Sequence, residues 1–126
     1  MKMDAVRNYL KHLILAFTKA LLDENDKSSP PLPQERLIRS QSPIQAVIIP
    51  GNQRVVLISK LLHTQGFDAR PIRKPTVEEG KERLRICIHS HNTLLQVQGL
   101  VHCIRKHSSD NDLLSGAIRG NSTSKL

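Results

Sequence analysis

The residues with the clearest chemical promise fall in one short stretch. Across positions 83 to 89, Leu84, Ile86 and Ile88 alternate with Arg83, Arg85, Cys87 and His89, a period of two that sets apolar and polar side chains on opposite faces of a strand. Two arginines then project together. A guanidinium held on a strand can make a bidentate, charge-assisted pair with a carboxylate, which makes Arg85 the first candidate ligand residue. The plain alternative is a solvated side chain on the open face of a half-exposed sheet. Arg73 and Thr76 bracket Pro75, so a stiff loop offers a cation and a hydroxyl to an anionic ligand; ordinary turn chemistry would use the same residue types.

The six histidines invite a metal or acid/base reading, above all His89 and His91 with Cys87 on the same strand face. A Cys87-His89-His91 zinc site is the weaker option, because no Asp or Glu stands near in sequence to complete it. A nucleophilic Cys87 has no marked partner base. Neither a G-x-G-x-x-G nor a G-x-x-x-x-G-K phosphate loop occurs, and no lysine sits in a setting that suggests a Schiff base. Chemistry confined to these residues has no evident engine.

Several elements must position these groups. Val6, Leu10, Leu13, Ile14 and Phe17 recur at helical spacing, so residues 4 to 22 are expected to form an amphipathic helix with Asp4 as its N-cap. Residues 23 to 34 mix charge, Ser and three Pro and are expected to be a linker. Ala46 to Ile49 is a continuous apolar run ended by Pro50-Gly51, the pattern of a strand covered on both faces. Asn52 is placed to cap a helix carrying Val55, Ile58, Leu61 and Leu62 and stopping at the left-handed Gly66. Phe67 to Ile72 is a second strand, residues 73 to 82 a loop, and residues 83 to 89 a third strand. Ser90 or Asn92 starts a last helix bearing Leu94, Val97, Leu100, Val101 and Ile104, with Arg105, Lys106 and His107 at its negative end. The order strand, helix, strand, strand, helix predicts an α/β fold, a two-layer sandwich of a small sheet and helices. The segments are then a helix at 1–22, a linker at 23–40, a domain at 41–107 and a polar tail, expected to be disordered, at 108–126.

Composition narrows the function. A chain of 126 residues with 38% hydrophobic content supports one modest core. The formal net charge is +8, yet the excess sits at residues 41 to 106, where ten Lys or Arg stand against four Asp or Glu. That is not a basic tail of the kind that coats DNA, and an aromatic content of 2% leaves almost no stacking platforms for bases. Nucleic acid is therefore not the expected partner; a carboxylate ligand is. No apolar run approaches the length of a membrane span, Lys19 interrupts the one apolar stretch near the start, and a cytoplasmic location is the default.

Taken together, residues 41 to 106 resemble the small C-terminal domain of the α-oxoamine synthases, a family of pyridoxal-phosphate enzymes. The residues that carry the resemblance are Ser42-Pro43-Ile44-Gln45, Gln65-Gly66-Phe67, Ile72-Arg73-Lys74-Pro75-Thr76-Val77, Gly80 and Arg83-Leu84-Arg85. The arginine at 73 favours the 8-amino-7-oxononanoate synthase branch. Val6 to Leu10 is faintly similar to the segment that follows the cofactor lysine in the family, and Asn92 stands where the family often has His.

The resemblance implies the small domain of a fold-type I enzyme and assigns roles position by position. Arg85 matches the arginine that pairs with the amino-acid carboxylate, Thr76 a threonine at the substrate site, and Arg73 an arginine that meets the acyl chain's far carboxylate or the product. The implied reaction condenses L-alanine with a pimeloyl thioester, with the cofactor as electron sink. The groups that hold pyridoxal phosphate belong to the family's large domain, so no covalent cofactor link is expected here. The implied partner is a large cofactor-binding domain or subunit, with a homodimer as a further possibility, and the segment alone is expected to be inactive. The competing expectation is a non-catalytic module or remnant that holds a carboxylate or an acidic surface.

Overall fold

The computed structural model describes residues 2–38, 40, 42–73 and 75–108; the tail expected to be disordered falls, from residue 109 onward, outside them. Helix α1 spans Lys2–Leu22, strand β1 Leu37–Ile38, β2 Ile44–Ile48, helix α2 Asn52–Thr64, β3 Asp68–Ile72, β4 Arg83–Cys87 and helix α3 Leu94–Ser108. The strands form one antiparallel sheet in the order β1-β2-β4-β3. Helix α2 lies against β3 and β4, α3 against α2, and α1 against α3. This is the expected α/β layering, extended by the two-residue strand β1.

The period-two pattern of the strands decides which side is buried. Val47, Ile49, Ala69, Leu84, Ile86 and Ile88 point into the helical layer and are almost inaccessible. They meet Val55, Ile58 and Leu62 of α2 and Val97, Leu100, Val101 and Ile104 of α3 in one core, each large side chain contributing about 1.5–3 kcal/mol by leaving water. Ala46 and Ile48, expected to be covered like their neighbours, are only half-buried. Their strand lies in an antiparallel sheet with one face open, so alternate residues of the apolar run stay partly wet.

Helix starts differ from expectation in instructive ways. Asp4 lies within the first turn of α1 rather than capping it, where its charge still complements the helix's positive end. Gly51, not Asn52, is the N-cap of α2, with φ 108° and no side-chain cap; the turn after Pro50 needs that positive φ, which glycine reaches without strain. Gly51 N–H donates instead to Glu82 Oε1 at 3.0 Å, which also accepts from Gly80 N–H at 3.0 Å. Helix α3 begins after Thr93, whose Oγ1 accepts from Gln96 N–H at 3.1 Å while Gln96 Oε1 accepts from Thr93 N–H at 2.9 Å. This reciprocal capping box displaces the starts expected at Ser90 or Asn92.

Two buried arginines fasten the helical layer. Arg54 Nη1 donates to the carbonyls of His107 and Ser108 at 2.9 and 2.7 Å, satisfying the end of α3. Arg105, fully buried, donates to the carbonyls of Ala20, Asp26, Ser29 and Pro30. The proline-containing stretch after α1 is thereby held against α3, and Leu32 within it joins the same core as Leu13, Phe17 and Leu21. Asp26 itself is held below the usual carboxylate range, first by hydrogen bonding from the Ser28 hydroxyl and amide and, more weakly, by the Arg105 charge.

Candidate functional site

The open face of the sheet is where polar groups converge. Register fixes the rows: Arg85 pairs with Ala46 on one side and Arg70 on the other, Arg83 with Ile48 and Ile72, and Cys87 with Ile44 and Asp68. Arg85 is thus at the centre of the face. Arg70 and Arg85 are both exposed and directly opposed across β3 and β4, and among the described residues neither has a hydrogen-bond or ion-pair partner. Like charges set opposite each other on neighbouring strands are mutually destabilising. An anion between them would relieve that repulsion.

Arg70, Arg85, Asp68, Cys87 and Ile44 line a shallow concavity of about 210 Å³. Asp68 Oδ2 stands 3.7 Å from His89 Nε2 at its edge. The ring of His89 stacks on that of His91, with centroids 5.0 Å apart and planes within 10°. His89 N–H donates to Asn92 Oδ1 at 2.7 Å, and the Asn92 carbonyl accepts from the Tyr9 hydroxyl at 2.7 Å. The edge of the concavity is therefore tied to α1.

Of the expected site residues, the structure sets Arg85 in the concavity and leaves Arg73 and Thr76 out of its lining. Both lie exposed in the loop between β3 and β4, where Thr76 N–H donates to the Arg73 carbonyl at 2.9 Å. The arginine expected to project beside Arg85 was Arg83, whose Nε donates instead to the Lys81 carbonyl at 3.3 Å. The guanidinium that joins Arg85 is Arg70. Its signal was present in the alternation of Asp68, Arg70 and Ile72 along the second strand, but only the pairing register brings it opposite Arg85.

The histidine reading also changes. His63 Nε2 bonds the Ala69 carbonyl across α2 and β3, so it is a packing contact. Asp68, Cys87 and His89 offer donor atoms that all lie within 4.8 Å of one another. Asp68, distant in sequence, thus joins Cys87 and His89 through strand pairing, and His91 supports the His89 ring by stacking. Cys103 is the contrasting thiol: buried on α3, it is pushed up in pKa by desolvation.

The comparisons with known proteins agree with this geometry. The antiparallel four-stranded sheet with helices on one side is a fold shared with part of two solved fold-type I pyridoxal-phosphate enzymes. A solved 8-amino-7-oxononanoate synthase from Francisella tularensis matches with TM-score 0.57 and 21% identity over 80% of this chain and 27% of that one. Serine palmitoyltransferase from S. paucimobilis, solved with bound PLP, matches with TM-score 0.51 and 18% identity over 87% of this chain and 26% of that one.

In sequence, the chain is similar to part of the 8-amino-7-oxononanoate synthases. It is 32% identical over 103 residues to the 8-amino-7-oxononanoate synthase of Emericella nidulans, which covers 82% of this chain and 24% of that protein. The enzyme of Xanthomonas campestris is 41% identical over 68 residues, 54% of this chain and 17% of that one. The chain thus spans a quarter or less of these relatives. No family model matches it. No described helix is long and apolar enough to cross a membrane.

Members of this family depend on pyridoxal phosphate. No lysine amine lines the concavity, so its side chains do not fit the covalent link that cofactor requires.

Proposed function

We propose that this segment forms the substrate-carboxylate face of an α-oxoamine synthase of the 8-amino-7-oxononanoate type, working against a cofactor-holding large domain. In that assembly L-alanine and a pimeloyl thioester are condensed, the new carbon–carbon bond replacing the thioester's carbon–sulfur bond, with release of the thiol and loss of carbon dioxide. The observation that carries the reading is Arg85, central on the open sheet face, opposed by Arg70 and without an acidic partner among the described residues. A carboxylate bound there accepts charge-assisted hydrogen bonds worth about 1.5–3 kcal/mol from a guanidinium.

Roles follow from position. Arg85 binds and orients the amino-acid carboxylate, Arg70 adds positive potential beside it, and Thr76 supplies a hydroxyl at the loop rim. Arg73, on the same loop, meets the far carboxylate of the acyl chain. The segment by itself binds but does not catalyse. Pyridoxal phosphate would be held by residues of the large domain, where it would supply an electron sink.

The test pairs the chain with a family large domain and follows the KM for L-alanine. Arg85→Ala is expected to raise it about ten- to a hundred-fold, the equivalent of one lost charge-assisted contact, while Arg73→Ala acts on the thioester. An Arg85→Ala assembly with unchanged alanine dependence overturns the assignment. A second reading, a binding module without catalysis, draws on Arg70 and Arg85 standing opposed on the open sheet face. It predicts saturable binding of a carboxylate by the chain alone and no activity on pairing.

A further inference from the structure

At the edge of the arginine concavity, three donor types meet that the carboxylate reading leaves unused. Asp68 and Cys87 are cross-strand partners on β3 and β4. His89 follows Cys87 by two residues and so shares its face. A carboxylate oxygen, a sulfur and a ring nitrogen lie within 4.8 Å of one another, with His89 Nε2 3.7 Å from Asp68 Oδ2. We infer that Asp68, Cys87 and His89 form a three-ligand site for a zinc-type divalent cation, with one coordination position left open.

The geometry is close to what such an ion demands. Metal–ligand bonds of about 2.0–2.3 Å put tetrahedral ligands roughly 3.3–3.8 Å apart, so side-chain rotation of about 1 Å closes the triad. The strands supply rigidity, because Asp68 and Cys87 are fixed by ladder pairing. His89 is restrained by its stack on His91 and by the bond from its amide to Asn92 Oδ1. Orientation of a ligating imidazole by outer contacts is what productive sites use.

The donor set selects the ion. A thiolate with an imidazole and one carboxylate suits zinc or cobalt, whereas magnesium and calcium take oxygen-rich shells. Arg70 and Arg85 stand beside Asp68 and Cys87 and oppose a bare dication. Thiolate and carboxylate together cancel its two charges, so the loaded site presents no net charge to them. The open position, beside two guanidinium groups, then favours an anionic exogenous ligand over a neutral one.

The site is tested on the full 126-residue chain under reducing conditions with Co²⁺ and Zn²⁺ as the only added metals. A thiolate-to-cobalt charge-transfer band that saturates at one equivalent and is displaced by Zn²⁺ is expected. Cys87→Ser should abolish the band, and Asp68→Asn and His89→Gln should each weaken Co²⁺ binding at least about ten-fold. Cys103→Ser should leave it intact. Asp68→Asn changes a half-exposed residue, so it reports on the site even if Cys87→Ser fails to fold. A wild-type chain without a saturable band overturns the inference, as does a band that follows Cys103, or one indifferent to both Asp68→Asn and His89→Gln. None of these outcomes bears on whether Arg85→Ala alters the KM for L-alanine, so the two readings fail separately.

Discussion

Arg105→Met is the substitution expected to cost this fold most. The guanidinium is wholly buried and bridges parts of the chain about eighty residues apart in sequence, with Nη1 on the Ala20 carbonyl at 2.7 Å, Nε on Pro30 at 3.2 Å, and Nη2 on Asp26 at 3.2 Å and on Ser29. Asp26 is exposed and its carbonyl can turn to water once released. Ser29 is buried and the Ala20 carbonyl closes the end of α1, so these two lose most. At about 1.5–3 kcal/mol for each bond to a charged donor, two such losses come to about 3–6 kcal/mol, overlapping the roughly 3–5 kcal/mol seen when one side of a buried charged contact is removed. Urea unfolding is the assay. With a slope of about 1–2 kcal/mol/M for a domain of this size, the midpoint should fall by at least about 1.5 M or the folded state should vanish. Arg105→Lys should fall between the two, since three donors on one nitrogen cannot reach four dispersed carbonyls. Limited proteolysis in parallel should show faster cutting near Lys27, which lies in the stretch Arg105 holds. A midpoint within about 0.3 M of the parent, with unchanged cutting, would refute the role given to Arg105.

Thr93→Ala removes one half of the capping box that starts α3 and is expected to lower stability by about 1 kcal/mol in the same urea assay; no change would mean that Gln96 alone holds the first turn. Alkylation of the native chain should modify Cys87 on the half-open sheet face and spare Cys103, whose thiol is both buried and shifted up by desolvation. Mass spectrometry of the peptides decides it, and prompt native labelling of Cys103 would contradict the packing described for α3.

Which parts of this structure could be read from sequence follows from the range of the interactions involved. Helix α2, with Val55, Ile58 and Leu62 on one side and Gly66 at φ 87° beyond it, is written in local spacing and turn chemistry. The two faces of β4 are equally local. The start of α3 was legible too, as Thr93 and Gln96 three apart before an apolar run, but Ser90 and Asn92 offered competing caps. What could not be read was register. The long loop between β3 and β4 leaves the pairing of the two strands unspecified, so neither Arg70 opposite Arg85 nor Asp68 opposite Cys87 is visible until the sheet is built. Arg105 was legible only as a basic residue near a helix end. Its role depends on the irregular stretch after α1 folding back across α3.

The same register makes the site inseparable from the core. On β3 and β4 the residues facing the helices, Ala69, Leu84 and Ile86, alternate with Arg70 and Arg85 on the open side. A slip of one residue would drive Arg85 into the apolar layer and turn Leu84 or Ile86 to water, so burial of the core keeps both arginines on the open face. Glu82 secures the neighbouring corner: almost fully buried, it accepts from Gly51 and Gly80 while its carbonyl accepts from Ile49 N–H at 2.8 Å. That corner joins the end of the loop carrying Arg73 and Thr76 to the start of α2. Burial of the apolar strand face therefore excludes every odd-residue slip between β3 and β4, and in the observed register Arg70 and Arg85 stand opposed as like charges.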